Sequence, residues 1–499
     1  MVGGGGANSG GTGGNELLGL GESCAVPTEC ASGFCADGVC CAEACGGACA
    51  ACDAGGSCTP HATGTDPEDE CDGGVCDGVG TCASGGFTWG QRFGDSANQG
   101  ATAVATLSSG DVVIAGRAFG TVDFGTGDLT TGEMFVARLS PTGQAVWAFK
   151  WGDSGSSTVS DIAVDDADNI YVTARTGGAV TIGGETFEDS TPNTFDLGVG
   201  FIFKLNASGS VLWAKGFNDG SEATAARVVA STDGDVYLAG YYKGSPQVAG
   251  GPPLPSSSGN GIFFASVATT GTHAWSIGFP NAISITNVND FDVAVDETGN
   301  VSAHARTTSA VSIAGQTVSG TFVVRFDSSG NATSVTPISA PCGPRRILGP
   351  IKGVELIVCA SGTVFSVNGT SVTTHYEPPA LGSSTAVSDA SLDANGNIVM
   401  AGTLESPSDF GGGVLTSAGA DDVLLVKLDA TGSHLWSVAY GDDGNQCNSG
   451  VFLDCARRVD TDGEGNILLA GALQGTVSFG GPPLIVDGLL DIFVTKLTP

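Results

Sequence analysis

Phe135-Val136-Ala137-Arg138-Leu139-Ser140-Pro141-Thr142-Gly143-Gln144-Ala145-Val146-Trp147 is the stretch that decides the fold. A short apolar run leads into a Ser-x-Thr-Gly turn, and the turn releases a second run that ends on tryptophan, the signature of a tight antiparallel hairpin. The tryptophan recurs at nearly one phase, as Trp89, Trp147, Trp213, Trp275 and Trp436. Successive intervals are 58 (89 to 147), 66 (147 to 213) and 62 (213 to 275) residues. Beyond Trp275 the phase continues with Ser334 and then His375 in the tryptophan's place. Periods of this size belong to solenoids, propellers and arrays.

Each unit repeats one grammar. An Ala/Val run such as Asp161-Ile162-Ala163-Val164-Asp165 precedes a Gly-Asn or Gly-Asp turn. The turn opens an apolar strand ending Ala-Gly, as in Gly110 to Gly116, Gly234 to Gly240, Gly396 to Gly402 and Gly465 to Gly471. The hairpin that ends on tryptophan supplies two more strands. Four short strands in about sixty residues make a propeller blade. Starts at 89, 147, 213, 275, 334, 375 and 436 give seven blades. The fifth is degenerate, 41 residues long (334 to 375), but keeps Gly353 to Val358 and Thr363 to Val367. The chain stops at Phe493-Val494-Thr495-Lys496-Leu497, one strand short, and Phe87 to Phe93 around Trp89 is that missing strand. The expectation is an all-β chain in which residues 84–499 form a seven-bladed β-propeller, closed by the Trp89 strand so that no long edge stays unpaired.

The pattern resembles the SBBP-type repeats of bacterial seven-bladed propellers, and more loosely NHL repeats. The residues that carry it are Val295, Asp296, Gly299 and Asn300, then Leu392, Asp393, Gly396 and Asn397, then Val459, Asp460, Gly465 and Asn466. The resemblance implies the fold and leaves function open, since propellers host binding, scaffolding and catalysis alike. Leu428 to Trp436 also resembles the tryptophan-docking repeat of quinoprotein propellers, one residue short between Asp429 and Thr431-Gly432. The adjacent pair Cys40-Cys41 lies outside the propeller, so a quinone-contacting role does not carry over.

The first 83 residues are different material. Residues 1–23 read as a Gly/Ser-rich flexible linker. Twelve of the sixteen cysteines fall between Cys24 and Cys82. Such density without an aliphatic core implies a disulfide-rich module over residues 24–83, matured in an oxidising compartment. Zinc is the competing reading, but Cys49-Ala-Ala-Cys52 has no second Cys-x-x-Cys at ribbon spacing and His61 is the segment's one histidine. The string from Glu29 to Cys41 resembles cysteine-rich modules of secreted myxobacterial proteins. Of the other four cysteines, Cys342 with Cys359 and Cys447 with Cys455 are read as two further bridges. Met1 to Gly6 offers neither a positive nor an apolar export region, and no stretch approaches eighteen apolar residues. The expected location is extracellular or the outer cell surface, with the export signal outside this sequence. Membrane contact is expected only through a lipid anchor whose cysteine the sequence does not contain.

With 52 acidic and 18 basic residues, the net charge of −34 speaks against nucleic acid as a partner. Five of the basic residues share one repeat position, Arg138, Lys204, Arg325, Lys427 and Lys496, and are read as outward and solvated. The loops after the tryptophan strands carry Asp95, Asp153, Asp219, Asp442 and Asp443. On one propeller face these carboxylates make a candidate ligand-binding ring, against the alternative that each caps its own turn. Asp460-Thr461-Asp462-Gly463-Glu464-Gly465-Asn466 alternates oxygen-bearing residues and makes Asp460, Asp462 and Glu464 candidate Ca²⁺ ligands. An EF-hand loop would also require Glu at position 12, where Gly471 stands. The five histidines do not cluster, no nucleophile, zinc or phosphate-loop motif occurs, and no catalytic residue is singled out. The reading is a non-catalytic binding or scaffold protein that recognises a protein or glycan through propeller loops. The alternative is a carbohydrate-active or other hydrolytic propeller using paired loop carboxylates.

Overall fold

The computed structural model describes residues 17–36, 38–45, 50–60, 75–76, 82–83, 85–130, 133–152, 157–188, 198–217, 222–283, 291–296, 298–339, 343–351, 353–444, 446 and 458–499. It divides into two compact units, one ending at Ala83 and one running essentially from Ser84 to Pro499.

Among its described residues the first unit has short two-stranded ladders, such as Cys35–Ala36 with Val39–Cys40, and four disulfides: Cys24–Cys35, Cys30–Cys40, Cys41–Cys52 and Cys45–Cys58. Successive bridges interleave in pairs, so a segment with little apolar core is held by covalent links. Cross-linking on this scale belongs to an exported or extracellular chain.

The second unit is seven four-stranded antiparallel blades, of which the second and third are joined into one eight-stranded sheet by a single parallel pairing of Val199 with Ala223. Blade 1 comprises Gln99–Thr106, Val112–Ala118, Met134–Leu139 and Ala145–Trp151, from the channel outward. Blades 2 to 6 repeat this order, with inner strands Thr158–Val164, Glu222–Ala230, Phe291–Val295, Pro344–Ile351 and Ala386–Leu392. Blade 7 takes Arg458–Thr461, Ile467–Leu473 and Asp491–Leu497 from the C-terminus and Phe87–Phe93 from near the N-terminus. The fifth blade is short but keeps four strands.

Middle strands lie between neighbouring blades and are covered on both faces, so they read as unbroken apolar runs. Val199–Leu205 and Ile467–Leu473 are buried at every position. Outer strands alternate, because one face meets water.

Three of the repeat tryptophans are hydrogen-bonded latches between blades. Trp89 Nε1 donates to Pro141 O at 2.8 Å, Trp147 to Ala207 O at 2.9 Å and Trp213 to Thr269 O at 2.9 Å. Each acceptor lies in the hairpin turn of the next blade, and the indole packs on that turn's glycine. A Cβ on Gly271 (φ +82°) would sit 2.8 Å from the Trp213 ring. The turn therefore needs glycine twice, for its left-handed backbone and for the indole's approach. Where Ser334 replaces tryptophan, Gly369 O instead accepts from Thr336 Oγ1 at 2.8 Å and Arg325 NH1 at 3.1 Å.

Candidate functional site

The inner strands carry a ring of charge. The residue that begins each inner apolar run pairs with the middle of the second strand: Ala103 with Ala115, Asp161 with Thr173, Arg227 with Ala239, Asp292 with His304. Blades 5 to 7 continue with Arg346 opposite Val358, Asp389 opposite Ala401 and Arg458 opposite Ala470. Around the channel the sequence is neutral, acid, base, acid, base, acid, base. A β-bulge precedes this residue in blades 1, 2, 3, 5 and 6, which re-aims it within the strand.

The acids repeat one geometry. Asp161 accepts from Val228 N at 3.2 Å, Asp292 from Ile347 N at 2.9 Å and Asp389 from Val459 N at 3.1 Å. Each donor immediately follows the arginine of the next blade. Arg346 Nε lies 3.2 Å from Asp292 and 3.5 Å from Asp389, and Arg227 Nε lies 3.8 Å from Asp292. Burial pulls the Arg346 guanidinium down, but the Asp292 and Asp389 carboxylates outweigh it and hold the group above its ordinary value. Arg458 differs: burial, joined by repulsion from Arg227, lowers it to about 10 despite Asp389 and Asp161. Beside Asp292, His304 is completely buried, and burial lowers its imidazole to about 4, so it is neutral at pH 7.

A cavity of about 230 Å³ lies over this ring. Its charged lining is Asp161, Arg346, Asp389, Arg458 and Asp460, and Ala105 and Val229 are among its apolar lining residues.

Of the candidate loop carboxylates, Asp95 and Asp442 are used locally in the same way. Asp95 Oδ1 accepts from Ala97 N at 2.8 Å and Gln99 Nε2 at 2.6 Å, and Oδ2 from Thr121 N at 2.8 Å. Burial opposes the charged form of Asp95, but these donors prevail and hold it below the usual carboxylate range. Asp442 Oδ1 accepts from Gly444 N at 2.8 Å and from Gln446 Nε2. Both are Asp-x-x-x-Gln caps, and the glutamine four residues on was the sequence signal for them. Asp443 is exposed and makes no such cap among the described residues, and Asp153 and Asp219 lie outside the described residues.

The candidate calcium loop is split between two tasks. Asp462 Oδ1 accepts from Glu464 N at 3.0 Å and Asn466 N at 2.9 Å, while its Oδ2 faces Lys496 Nζ at 2.8 Å. The lysine ammonium stands where a cation would sit. Glu464 is exposed and meets Asn466 Nδ2 at 3.2 Å. Asp460 turns to the channel, where Thr106 N donates at 3.0 Å, Thr106 Oγ1 at 3.1 Å and Ser391 Oγ at 3.1 Å. Burial raises its carboxyl above the usual range despite those donors.

The solvated reading of the five repeat cations is corrected. Lys204, Lys427 and Lys496 are buried, and they pair with the turn aspartates of their own blades, Asp165 at 3.5 Å, Asp393 at 3.2 Å and Asp462 at 2.8 Å. Arg138 pairs with Asp111 at 2.5 Å, and Arg325 reaches Glu355 of the next blade at 2.5 Å. The turn aspartate caps its loop with one oxygen and faces the cation with the other, so it leaves a low-cost place for a buried lysine. Of the remaining cysteine assignments, Cys359 is disulfide-bonded, whereas Cys342, Cys447 and Cys455 lie outside the described residues.

No protein-family model matches the sequence, and no curated protein is similar to it. Among solved structures the chain is similar to virginiamycin B lyase from Staphylococcus aureus, with 10% identity over 82% of this chain and 100% of that one and a TM-score of 0.42. It is also similar to BamB from Moraxella catarrhalis, with 11% identity over 83% and 99% and a TM-score of 0.37. A protein of unknown function from Bacteroides caccae shares 12% identity over 61% and 89%, with a TM-score of 0.35.

Proposed function

We propose that this is an exported, non-catalytic binding module of SBBP-type repeat architecture, which recognises a protein or glycan through its propeller loops. The observation that carries the reading is how the carboxylates are used. Asp95 and Asp442 cap their own loops, Asp165, Asp393 and Asp462 pair with buried lysines, and Asp292 and Asp389 are held by arginines. A general acid or nucleophile needs a group released from such duties to exchange a proton or bond with substrate. Carboxylates spent this way instead hold loops in one conformation, which lowers the entropy lost on binding. Tethering to the cell surface by a lipid upstream of the linker belongs to the same proposal.

One observation favours a hydrolytic second reading. Asp460, raised by burial and facing a cavity shared with Asp389, has the character of an acid catalyst. The full chain on a glycan array and a cell-surface protein array, with released sugar measured in parallel, separates the two. Retained ligand without product supports the module. Product formation that is lost in Asp460→Asn supports the enzyme and overturns the module.

A further inference from the structure

The ring has seven positions, and an odd ring cannot alternate in sign throughout. The break falls at Ala103, between Arg458 and Asp161. Asp292 and Asp389 flank Arg346 on both sides, whereas Arg458 has an acid in blade 6 and none in blade 1. Its Nε donates to Thr102 O at 2.7 Å. Among the described residues no carboxylate lies within ion-pair distance of it, and its terminal guanidinium N–H groups make no hydrogen bond.

Two residues along the same strand, Asp460 is the reverse case. Its hydrogen-bond donors are all neutral, the backbone N–H groups of Thr106 and Thr461 and the hydroxyls of Thr106 and Ser391, and no Lys or Arg of the described residues forms an ion pair with it. Positions i and i+2 share a strand face about 7 Å apart. The two side chains form no ion pair with each other, and both line the same 230 Å³ cavity. At ~30 Å³ per water the space equals about eight waters, which is room for a small organic molecule.

We propose that this cavity is a binding site for a small zwitterion of the α-amino-acid class, its carboxylate received by Arg458 and its ammonium by Asp460. A guanidinium fork with unused N–H groups matches a carboxylate in shape and charge. A simple anion would meet Asp161, Asp389 and Asp460 in the lining and a chain of net charge −34, and a simple cation would meet Arg346 and Arg458 there. A molecule carrying both charges satisfies both groups and adds no net charge. This site lies in the channel and stands independently of the loop-face reading.

The test is calorimetric titration of the full chain with glycine, L-alanine and L-serine, against acetate and methylammonium as half-ligands, at physiological ionic strength. At least one amino acid is expected to bind tenfold or more tightly than either half-ligand. Asp460→Asn should weaken that binding at least tenfold while leaving acetate unchanged, and Arg458→Met should weaken both. Val229→Phe, which fills the cavity from blade 3 without touching a charge, should abolish binding with the circular-dichroism spectrum intact. This variant keeps the test valid should Arg458→Met fail to fold. Absence of heat with all three amino acids overturns the proposal. So does acetate binding as tightly as the amino acids and indifferent to Asp460→Asn, which would make the cavity a plain anion site.

Discussion

Asp292→Asn tests whether the ring is a dry electrostatic structure. The side chain is 2% exposed, with Arg346 Nε at 3.2 Å and Arg227 Nε at 3.8 Å. Asparagine keeps the shape and an oxygen for Ile347 N, so the change isolates charge. At an effective dielectric of about 20, contacts at these distances carry roughly 4–5 kcal/mol each before desolvation is counted. Breaking a buried pair from one side costs about 3–5 kcal/mol, because the partner charge is left without compensation. We expect a loss of about 4 kcal/mol, read from urea unfolding followed in parallel by tryptophan fluorescence and circular dichroism. Asp443→Asn, in an exposed loop, is the matched control and should stay within about 0.5 kcal/mol. Repeating the pair at 0.05 and 0.5 M NaCl supplies the decisive arm, since salt screens exposed pairs and largely spares buried ones. A loss below about 1 kcal/mol, or one that high salt erases, would refute the reasoning.

His304→Val, which installs the residue blade 5 carries at the same register, should remove a pH dependence. The imidazole's folded value, about 4, lies below its unfolded value of 6.5, so the unfolded chain takes up the proton first and stability falls as pH drops through that window, by up to about 3 kcal/mol; unchanged pH dependence in the variant would sink the assignment. Gly271→Ala should cost about 1–3 kcal/mol, because alanine strains the turn and meets the Trp213 ring, and unfolding at the wild-type urea midpoint would contradict the latch. Ala103→Asp puts an acid beside Arg458 but also beside Asp161, whose carboxyl burial already raises despite Arg227. Stability should drop by about 1–3 kcal/mol at pH 7 and recover toward pH 4, where one of two coupled acids protonates, whereas a gain at pH 7 would show that Ala103 is not a forced break.

The fold was legible because the signals that set it are local. The Gly143 turn, the Trp147 strand and the run between Val112 and Ala115 each declare a strand or turn within a dozen residues, and the period then multiplies the declaration sevenfold. Even the degraded units follow the rule. Ser334 and His375 hold the tryptophan's phase, and in the structure they occupy the outer strands of blades 4 and 5. The closing pairing of Lys496 with Trp89 follows from the same arithmetic, since a strand missing at one end must come from the other.

Side-chain roles were harder to read because they depend on partners outside the local window. Lys204 looks like a surface lysine on a strand until Asp165, 39 positions earlier, is placed across the blade from it. The channel charges are subtler still. Asp161, Arg227, Asp292, Arg346, Asp389 and Arg458 each precede an apolar residue of the inner strand, where a lone charge reads as a solvated strand position. Only superposing the blades by phase brings them to one level. Their alternation then becomes a statement about neighbours, since each acid accepts from the backbone N–H of the residue that follows the next blade's base. Six charges of alternating sign sum to zero, so the channel can bury them together though it could bury none alone. The same sum explains why the unmatched groups stand at the break. Where the seventh position is alanine, Arg458 loses one neighbour, and Asp460 above it has only neutral donors. What distinguishes this propeller chemically is therefore concentrated beside the one blade that does not take part in the alternation.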